Sequence, residues 1–188
     1  ITSLAQDLGL SRTSVENALN VLQGHNLVVG MPGRPRGAGR PARHFGFHAA
    51  GGLVAGVDIG AHSLRVVAAD LSGSTLVSSV SEGVDPSLDP ASQLDAVIKQ
   101  LGETLTGLDL RTLRAIGISL PGIVDRSGNV VASVIFPAWA GVDLVGALQT
   151  RFGCPVVIDN GVRLATVAEH HMGSGRCFDD VLYLSVGT

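Results

Sequence analysis

The sequence predicts an α/β protein made of a small helical head and a larger body built on a mixed β-sheet. In residues 51–188, three strand-like apolar runs come first and helical and strand-like segments then alternate, which is typical of a mixed sheet covered on both faces. The sign of the net charge changes between residues 1–50 and residues 51–188. Residues 1–50 carry five arginines against two acids, a net charge of +3, whereas residues 51–188 carry a net charge of −6. We therefore predict two domains, residues 1–48 and residues 49–188.

The composition favours a packed protein, because 45% of the residues are apolar and only 15% are charged. No apolar run approaches the roughly 20 residues of a membrane span, and the N-terminus lacks the pattern of a signal peptide. The two cysteines, Cys154 and Cys177, form neither a metal-like cluster nor a disulfide framework. These observations predict a cytoplasmic protein without a membrane partner, in which both cysteines are small core residues.

The head begins with two short helical patterns, over residues 1–8 and 12–23, which a glycine separates. Thr2 or Ser3 is the predicted N-cap of the first helix, and Ser11 that of the second. Two helices joined by a short turn that contains glycine have the spacing of a helix-turn-helix, although an ordinary helical hairpin has the same pattern. The apolar positions expected to face inward are Leu4, Ala5, Leu8, Val15, Ala18, Leu19 and Leu22.

A glycine- and proline-rich arginine loop lies between two short strand patterns, residues 27–29 and 44–47. Such a loop cannot fold on its own, but it can lie along phosphates or insert an arginine into a narrow minor groove. The combination predicts a winged helix-turn-helix, although a flexible linker would share this composition. Such domains usually open with a further helix, and we expect that this chain begins too late to include it.

Charge and helix position together predict DNA contacts in the head, since only the head has a positive net charge. The exposed start of the second helix offers polar and cationic side chains to a major groove, and the loop offers arginines to phosphates. The predicted DNA-binding residues are Ser11, Arg12, Thr13, Ser14, Asn17, Arg34, Arg36, Arg40 and Arg43.

The body is predicted to alternate between strands and helices after its three opening strands. One helix has a clear apolar face at helical spacing, formed by Leu94, Val97, Ile98, Leu101 and Leu105. The predicted strands cover residues 53–57, 64–68, 74–81, 115–120, 155–158 and 181–186. The predicted helices cover residues 91–106, 143–152 and 162–172.

Asp58 stands at the end of the first apolar strand, close to Gly60. A carboxylate at a strand end can orient magnesium or its waters, and a nearby glycine lets a phosphate approach the backbone. The pattern indicates a phosphate-binding turn, while a plain hairpin in which Asp58 caps the turn fits equally well. A second polar turn, Asp159-Asn160-Gly161, follows a later strand, and there the residues by themselves favour a helix cap.

Five segments of the body resemble, in their order and spacing, the ROK family of sugar kinases and sugar-responsive repressors. They are GVDIGAHSLRVVAADLSG, GISLPGIVD, the segment around Trp139, FGCPVVIDN and AEHHMGSG. Together with the head they resemble the repressor branch. The resemblance implies an actin-like, ribonuclease-H-like ATPase fold, of which residues 49–188 would form the first lobe. It also places Asp58 and Gly60 in a phosphate loop, and Gly122, Asn160 and Glu169 at the sugar site, although Glu169 fits an acid on the helix surface equally well.

Two departures from the family's kinases predict that the protein is not an enzyme. The kinases carry an aspartate, their general base, directly after the asparagine, where this chain has Gly161, and Arg163 stands where asparagine is frequent. The chain also ends where a second phosphate loop should begin. The distal lobe, with its zinc-binding cysteines and histidines, would then be absent, so we expect no cofactor and no metal in this chain.

We therefore expect a sugar-responsive, DNA-binding transcriptional repressor that is a homo-oligomer in its full-length form, with operator DNA and a small sugar or sugar derivative as partners. A sugar kinase with a DNA-binding head is the alternative from a different class, and a fragment that performs neither role is the third. Trp139 is expected to pack in the core, although aromatic rings also line sugar sites. Neighbouring His170 and His171 cannot chelate one metal, because adjacent residues do not share a helical face.

Overall fold

The computed structural model describes most of the chain. The described residues are 1–31, 43–60 and 62–186. Three of the predicted DNA-binding arginines, Arg34, Arg36 and Arg40, lie outside them. The chain forms two compact units, which comprise residues 1–53 with 70–74, and residues 54–69 with 75–188. Within the described residues, no helix is long and apolar enough to cross a bilayer.

The first unit contains two helices, a two-stranded antiparallel sheet and a short 3₁₀ turn. The elements are α1 (Thr2–Leu8), α2 (Arg12–Gly24), β1 (Val28–Met31), β2 (His44–Phe47) and the turn Ala49–Gly51. Gly9 ends α1 in the left-handed region at φ +65°, where glycine carries no steric penalty. Ser11 caps α2, because its hydroxyl accepts a hydrogen bond from the Ser14 N–H at 3.0 Å. The predicted break and the predicted second cap are both confirmed.

Two predictions about the surfaces of these helices are wrong. The N-cap of α1 is Ile1, which makes no side-chain capping bond, and the Ser3 hydroxyl instead donates to Asp7 Oδ2 at 3.4 Å. Of the positions expected to face inward, those that are buried are Ala5, Val15 and Leu19. Two short helices and a hairpin enclose only a narrow apolar stripe. The positions that stay exposed are Leu4, Leu8, Ala18 and Leu22.

The second unit is built on a five-stranded mixed sheet. Its strands are β3 (Leu53–Ile59), β4 (Ser63–Asp70), β5 (Thr75–Glu82), β6 (Leu113–Leu120) and β9 (Val156–Asn160), in the order β5-β4-β3-β6-β9. A separate hairpin joins β7 (Ile123–Val124) to β8 (Val130–Ala132). The helices are α3 (Pro90–Thr104), α4 (Leu144–Phe152) and α5 (Gly161–Met172), with 3₁₀ turns at Leu110–Thr112, Pro137–Trp139 and Ser174–Cys177. Strands β4 and β5 are antiparallel and β6 and β9 are parallel, so the predicted mixed α/β sheet is confirmed.

The final predicted strand is not formed. Residues 181–186 adopt no regular structure, and Leu182 and Leu184 are 84% and 79% exposed. Alternating apolar residues satisfy the strand pattern, but a strand also needs a neighbouring backbone to take its hydrogen bonds. No strand in the described part of the chain pairs with this segment. The β7–β8 hairpin, conversely, has no counterpart in the sequence pattern, since its strands are too short to show a periodicity.

Helix α3 covers one face of the sheet, where Thr104 Oγ1 lies 2.6 Å from Ser79 Oγ on β5. The β4 side chains that point to this face are buried, and they are Leu64, Val66 and Ala68. On the opposite face, Val67 is 39% and Val80 is 66% exposed, and α5 reaches the margin of this surface through Leu164. On this face α5 leaves Val67 of β4 and Val80 of β5 exposed, because one helix is narrower than the sheet. The prediction that both faces are covered is therefore wrong for β4 and β5 in the described residues.

An aromatic pair fills the core of the second unit. Phe136 and Trp139 are fully buried and stack with their ring centroids 4.7 Å apart, so Trp139 is a packing residue as predicted. Cys154 is also buried, and burial raises the pKa of its thiol, which is typical of an unreactive cysteine. Cys177 is exposed at the end of a 3₁₀ turn. The prediction that both cysteines lie in the core is therefore wrong for Cys177.

Replacing the N-cap of α3 should destabilise the protein in a pH-dependent way. Asp89 accepts hydrogen bonds from the N–H groups of Ala91 and Ser92 and from the Ser92 hydroxyl, and the hydroxyl bond is the main reason that the pKa of Asp89 is lowered. A lowered folded-state pKa stabilises the protein above the unfolded value of about 3.9 and stops doing so as the pH falls through the folded value. We expect Asp89→Ala to lower the free energy of unfolding at neutral pH, and the deficit to shrink in acid.

Urea unfolding between roughly pH 7 and roughly pH 3 measures this deficit. Asp95→Ala is the matched control, because Asp95 lies exposed in the same helix without a capping role. A deficit for Asp89→Ala that stayed constant down to the lowest pH would contradict the assignment of the stabilisation to the ionised cap.

Candidate functional site

The C-terminal ends of β3, β6 and β9 surround an open cleft of about 670 Å³ in the second unit. Because β6 and β9 are parallel neighbours, Leu120 lies beside Asn160 in the register, and both strands deliver their following loops to the same edge. Ligand sites in open α/β sheets are found at such edges. The lining residues are Asp58, Ile59, Gly60, Ser119, Leu120, Pro121, Gly122, Ile123, Ala132, Ser133, Val134, Ile135, Asn160, Gly161, Val162 and Ser185.

Four of the residues singled out in the sequence thus share one cleft, namely Asp58, Gly60, Gly122 and Asn160. Asn160 has two structural roles in it. Its Oδ1 accepts hydrogen bonds from the N–H groups of Val162 at 2.9 Å and Arg163 at 3.3 Å, so it is the N-cap of α5. Its Nδ2 donates to the Gly122 carbonyl at 2.8 Å and ties the two loops together. The helix cap that the residues favour is confirmed, and the same side chain lines the cleft.

Two glycines of the cleft, Gly60 and Gly122, lie close to neighbouring backbone atoms. A Cβ on Gly122 would lie 2.8 Å from the Ala132 carbonyl oxygen and 2.9 Å from Leu120 Cδ1, so a larger residue would push the loop away from β8. At Gly60, the N–H donates to the Ser63 carbonyl at 2.9 Å and closes the turn after β3. Close contact with neighbouring backbone therefore leaves little room for a side chain at Gly122, and the backbone of Gly60 closes its own turn.

Asp58 is the only acidic side chain among the described residues that line this cleft. Its Oδ1 accepts a hydrogen bond from the Ser119 hydroxyl at 2.7 Å, which joins β3 to β6. No group of three or more histidines, cysteines or acids in the described residues could hold a metal ion. The carboxylate therefore stands as a hydrogen-bond acceptor on the wall of the cleft.

Asp159 and Arg163 neutralise each other beside the cleft. Arg163 Nη1 lies 3.0 Å from Asp159 Oδ1, and the same oxygen accepts the Asn160 N–H at 2.7 Å. Neither Asp159 nor Arg163 belongs to the cleft lining. Residue 161, which does line it, is glycine and brings no side chain. The cleft consequently has no carboxylate at the position where the resemblance puts the kinases' general base.

Glu169 is not brought to this cleft. Its Oε2 accepts a hydrogen bond from the Ser174 N–H, at 3.0 Å, beyond the end of α5. Glu169 lines a separate depression together with Phe178 and Tyr183. The structure thus separates Glu169 from Gly122 and Asn160. His170 and His171 are exposed on the same helix, and their rings stack with centroids 5.3 Å apart.

Three serines of the cleft, Ser119, Ser133 and Ser185, are absent from the residues predicted from the sequence. Ser119 holds Asp58, and Ser133 donates to the Pro121 carbonyl at 2.6 Å while accepting the Phe136 N–H at 3.0 Å. Ser133 thereby supports the loop that carries Gly122. Ser119 could have been singled out from the sequence, because it is a polar residue inside the apolar run that precedes Pro121. Nothing local distinguishes Ser133 from an ordinary loop serine.

The predicted DNA-binding residues that the structure describes are all exposed in the first unit, and they are Ser11, Arg12, Thr13, Ser14, Asn17 and Arg43. Arg12 Nε lies 3.0 Å from Glu16 Oε1 one turn further along α2. The hydroxyls of Ser11 and Ser14 lie 2.8 Å apart at the helix cap. Thr13 and Asn17 are exposed at the start of α2 without a side-chain partner among the described residues, whereas the guanidinium of Arg12 is shared with Glu16.

The chain is similar to several known proteins. Over 98% of its length, the chain is 25% identical to the xylose repressor of Bacillus subtilis (strain 168), and it covers 48% of that protein. The chain thus spans about half the length of the curated relatives it matches.

Two solved structures share the fold. One is a ROK family transcriptional regulator described as a homolog of the E. coli MLC protein, with a TM-score of 0.74 and 19% identity over 94% of this chain and 45% of that chain. The other is a ROK family glucokinase from Streptomyces griseus in complex with glucose and AMPPNP, with a TM-score of 0.58 and 27% identity over 66% of this chain and 38% of that chain. The ROK family model itself matches residues 54–188, which include every strand end that forms the cleft. With well over half of its residues matched, this chain belongs to the ROK family.

Proposed function

We propose that the protein is a sugar-responsive transcriptional repressor, whose head binds operator DNA and whose cleft binds a sugar without phosphorylating it. The similarity to a xylose repressor over nearly the whole chain supports this role, because it includes the head as well as the body. The observation that carries the proposal is the electrostatics of the cleft. Asp58 is its one acidic side chain among the described residues, position 161 is glycine, and Asp159 is paired with Arg163.

The cleft suits a neutral polyhydroxylated ligand. Backbone groups of the loops at Gly60 and Gly122, the amide of Asn160 and the carboxylate of Asp58 supply donors and acceptors around a largely apolar wall. Such a combination of a few polar groups in an apolar cleft is typical of small-molecule sites. Arg163 is engaged by Asp159, so it offers little attraction to an anionic sugar derivative.

The head suits DNA because its polar and cationic groups lie at the exposed start of α2 and beside the β1–β2 hairpin. We propose that it is a winged helix-turn-helix, with α2 in a major groove and the arginine loop along the phosphates. The protein would then act in the cytoplasm as a homo-oligomer, because paired heads read paired half-sites.

A sugar kinase is the second candidate function. The likeness to the Streptomyces griseus glucokinase, over the part of the chain that contains the cleft, favours it. The two candidates differ in one requirement, because a kinase must place a carboxylate where it can accept the proton of the attacking hydroxyl. The geometry at Asp159 and Gly161 favours the repressor.

The test of the head is selection of duplexes from a randomised pool, followed by gel-shift titration of the preferred site. We expect Arg12→Ala and Asn17→Ala to lose discrimination at individual base pairs by about 10- to 100-fold, since a base contact is worth roughly 1–3 kcal/mol. Arg34→Ala combined with Arg40→Ala should instead weaken binding to all sequences and lower the salt dependence by about 0.9 in slope for each phosphate that is no longer neutralised.

Lys99→Ala is the matched control, because Lys99 is an exposed cation on α3 of the second unit. It should change neither base preference nor salt slope. Selection that recovers no preferred duplex, or α2 variants with unaltered preference, would contradict the proposed DNA-binding role of the head.

A further inference from the structure

Ser119 occupies a central place in the cleft, because β6 lies between β3 and β9. It is paired with Asp159 in the parallel register, one residue before Leu120 pairs with Asn160. Its hydroxyl donates to Asp58 Oδ1 at 2.7 Å, although the two residues are 61 positions apart in the chain. Ser119 is therefore the link between the carboxylate on β3 and the start of α5 after β9.

The same hydroxyl fills the space that a side chain at position 161 would need. A Cβ on Gly161 would lie 2.9 Å from Ser119 Oγ, closer than a carbon and an oxygen atom normally approach. Apart from its two chain neighbours and the local helix backbone, Ser119 Oγ is the only heavy atom within 4 Å of that Cβ among the described residues. The obstacle at position 161 is thus a single rotatable hydroxyl rather than rigid backbone.

A rotatable hydroxyl can yield, and the displacement that frees position 161 disturbs its hydrogen bond to Asp58. Rotation about χ1 moves Oγ to another staggered position, and the bond to Asp58 Oδ1 is then broken. Hydrogen bonds to carboxylates are among the stronger ones, so we expect a measurable effect although this bond is exposed to solvent. A side chain at position 161 therefore competes with the hydrogen bond between Ser119 and Asp58.

We propose that Ser119 is a positioning residue that holds the Asp58 carboxylate for the bound sugar, and that Gly161 is required because it leaves the Ser119 hydroxyl in place. Asp58 Oδ2 makes no hydrogen bond or ion pair within the described residues, so it is the oxygen left to accept a ligand hydroxyl. The ligand class is a neutral polyol. The assignment of a ligand rests on the proposed sugar-binding role, whereas the coupling of residues 119 and 161 does not.

The coupling is tested by a double-mutant cycle with Ser119→Ala, Gly161→Ala and the double variant, using urea unfolding of the intact protein. Alanine at 119 removes only the obstructing oxygen. We expect Gly161→Ala to lower the folding equilibrium constant by about fivefold when Ser119 is present, and to leave it unchanged or raise it when Ser119 is absent. Gly102→Ala in α3 is the matched glycine control, because a Cβ there meets nothing within 4 Å. It should behave identically in both backgrounds.

The ligand arm uses calorimetric titration with xylose and with glucose as probes. Ser119→Ala should weaken binding about three- to tenfold, Ser119→Thr should restore it, and Ser119→Ala should have no further effect in an Asp58→Asn background. If Ser119 has a purely structural role, Ser119→Ala should weaken binding equally with Asp58 and with Asn at position 58. That result would overturn the positioning role.

Two further outcomes decide the proposal. If Gly161→Ala alone does not fold, recovery of folded protein in the double variant supports the coupling and failure to recover overturns it. Effects of the two substitutions that add within about twofold would overturn it as well. Because the unfolding arm needs neither sugar nor DNA, its failure is distinguishable from failure of the proposed repressor function.

Discussion

Asn160→Ala is expected to raise the sugar concentration needed to release the protein from DNA by about 10- to 100-fold, while DNA affinity without sugar stays the same. The substitution removes a cleft-lining amide and leaves the Gly122 carbonyl without its 2.8 Å donor. A missing hydrogen bond and an unsatisfied partner together are worth roughly 1.5–3 kcal/mol. The same change removes the α5 cap, which should lower stability by about 1 kcal/mol.

Two controls separate these effects. Asn160→Asp keeps a capping acceptor but turns the donor that faces Gly122 into an acceptor, so it should lose the sugar response and keep the cap. Asp143→Ala removes the N-cap of α4, whose oxygen accepts the Gly146 N–H at 2.8 Å and which does not line the cleft. It should cost stability and leave the sugar response intact.

The measurement is fluorescence anisotropy of a labelled operator duplex, titrated with xylose or glucose at fixed protein concentration. Unchanged half-release concentrations for Asn160→Ala would mean that this residue acts only as a helix cap and a loop tie.

The second large effect is an absence of sugar phosphorylation in the intact protein. Phosphoryl transfer requires positioning, electrostatic stabilisation and a carboxylate that accepts the hydroxyl proton. A positioned general base contributes typically 10²–10⁴-fold, and losing the alignment of the hydroxyl adds to the deficit. Gly161 has no side chain, so it can neither accept the proton nor align the hydroxyl. The neighbouring carboxylates are engaged, because Asp159 is paired with Arg163 at 3.0 Å and Asp58 accepts the Ser119 hydroxyl at 2.7 Å.

An ATP-coupled assay across common hexoses, pentoses and amino sugars checks this expectation. Gly161→Asp and the double variant Ser119→Ala with Gly161→Asp serve as comparisons, and any gain of turnover should be larger in the double variant, where the space beside residue 161 is free. Turnover by the unmodified protein at rates typical of kinases, about 1–100 per second, would refute the repressor assignment of the cleft and favour the kinase alternative.

Local signals in the sequence were sufficient where the chain contacts mainly itself. Ser11 and Gly9 mark the beginning of α2 and the end of α1, because a cap and a left-handed glycine act within four residues of their own position. The strands of the five-stranded sheet follow from apolar runs of the predicted type. Asp58 and Asn160 could be singled out because each is a polar residue at the end of such a run.

Local signals failed where a neighbour decides the outcome. Residues 181–186 have the alternation of a strand but lack a pairing strand in the described residues. Leu8 and Leu22 have helical spacing but are 57% and 37% exposed, because the small core of the first unit covers only one stripe. In both cases periodicity describes what a segment could bury, and only packing decides whether it does.

By itself, the sequence determined the α/β class, the approximate positions of the five strands of the main sheet and the absence of a side chain at position 161. Only the tertiary structure decided what that absence does. The partners of Asp58 and Asp159 are Ser119, 61 residues away in the chain, and Arg163, one helical turn away. Strand adjacency brings Ser119 to Asp58, and side-chain direction takes Asp159 away from the cleft. Neither is encoded in a local pattern, because a hydrogen bond depends on distance in space and hydrophobic periodicity reports only position along the chain.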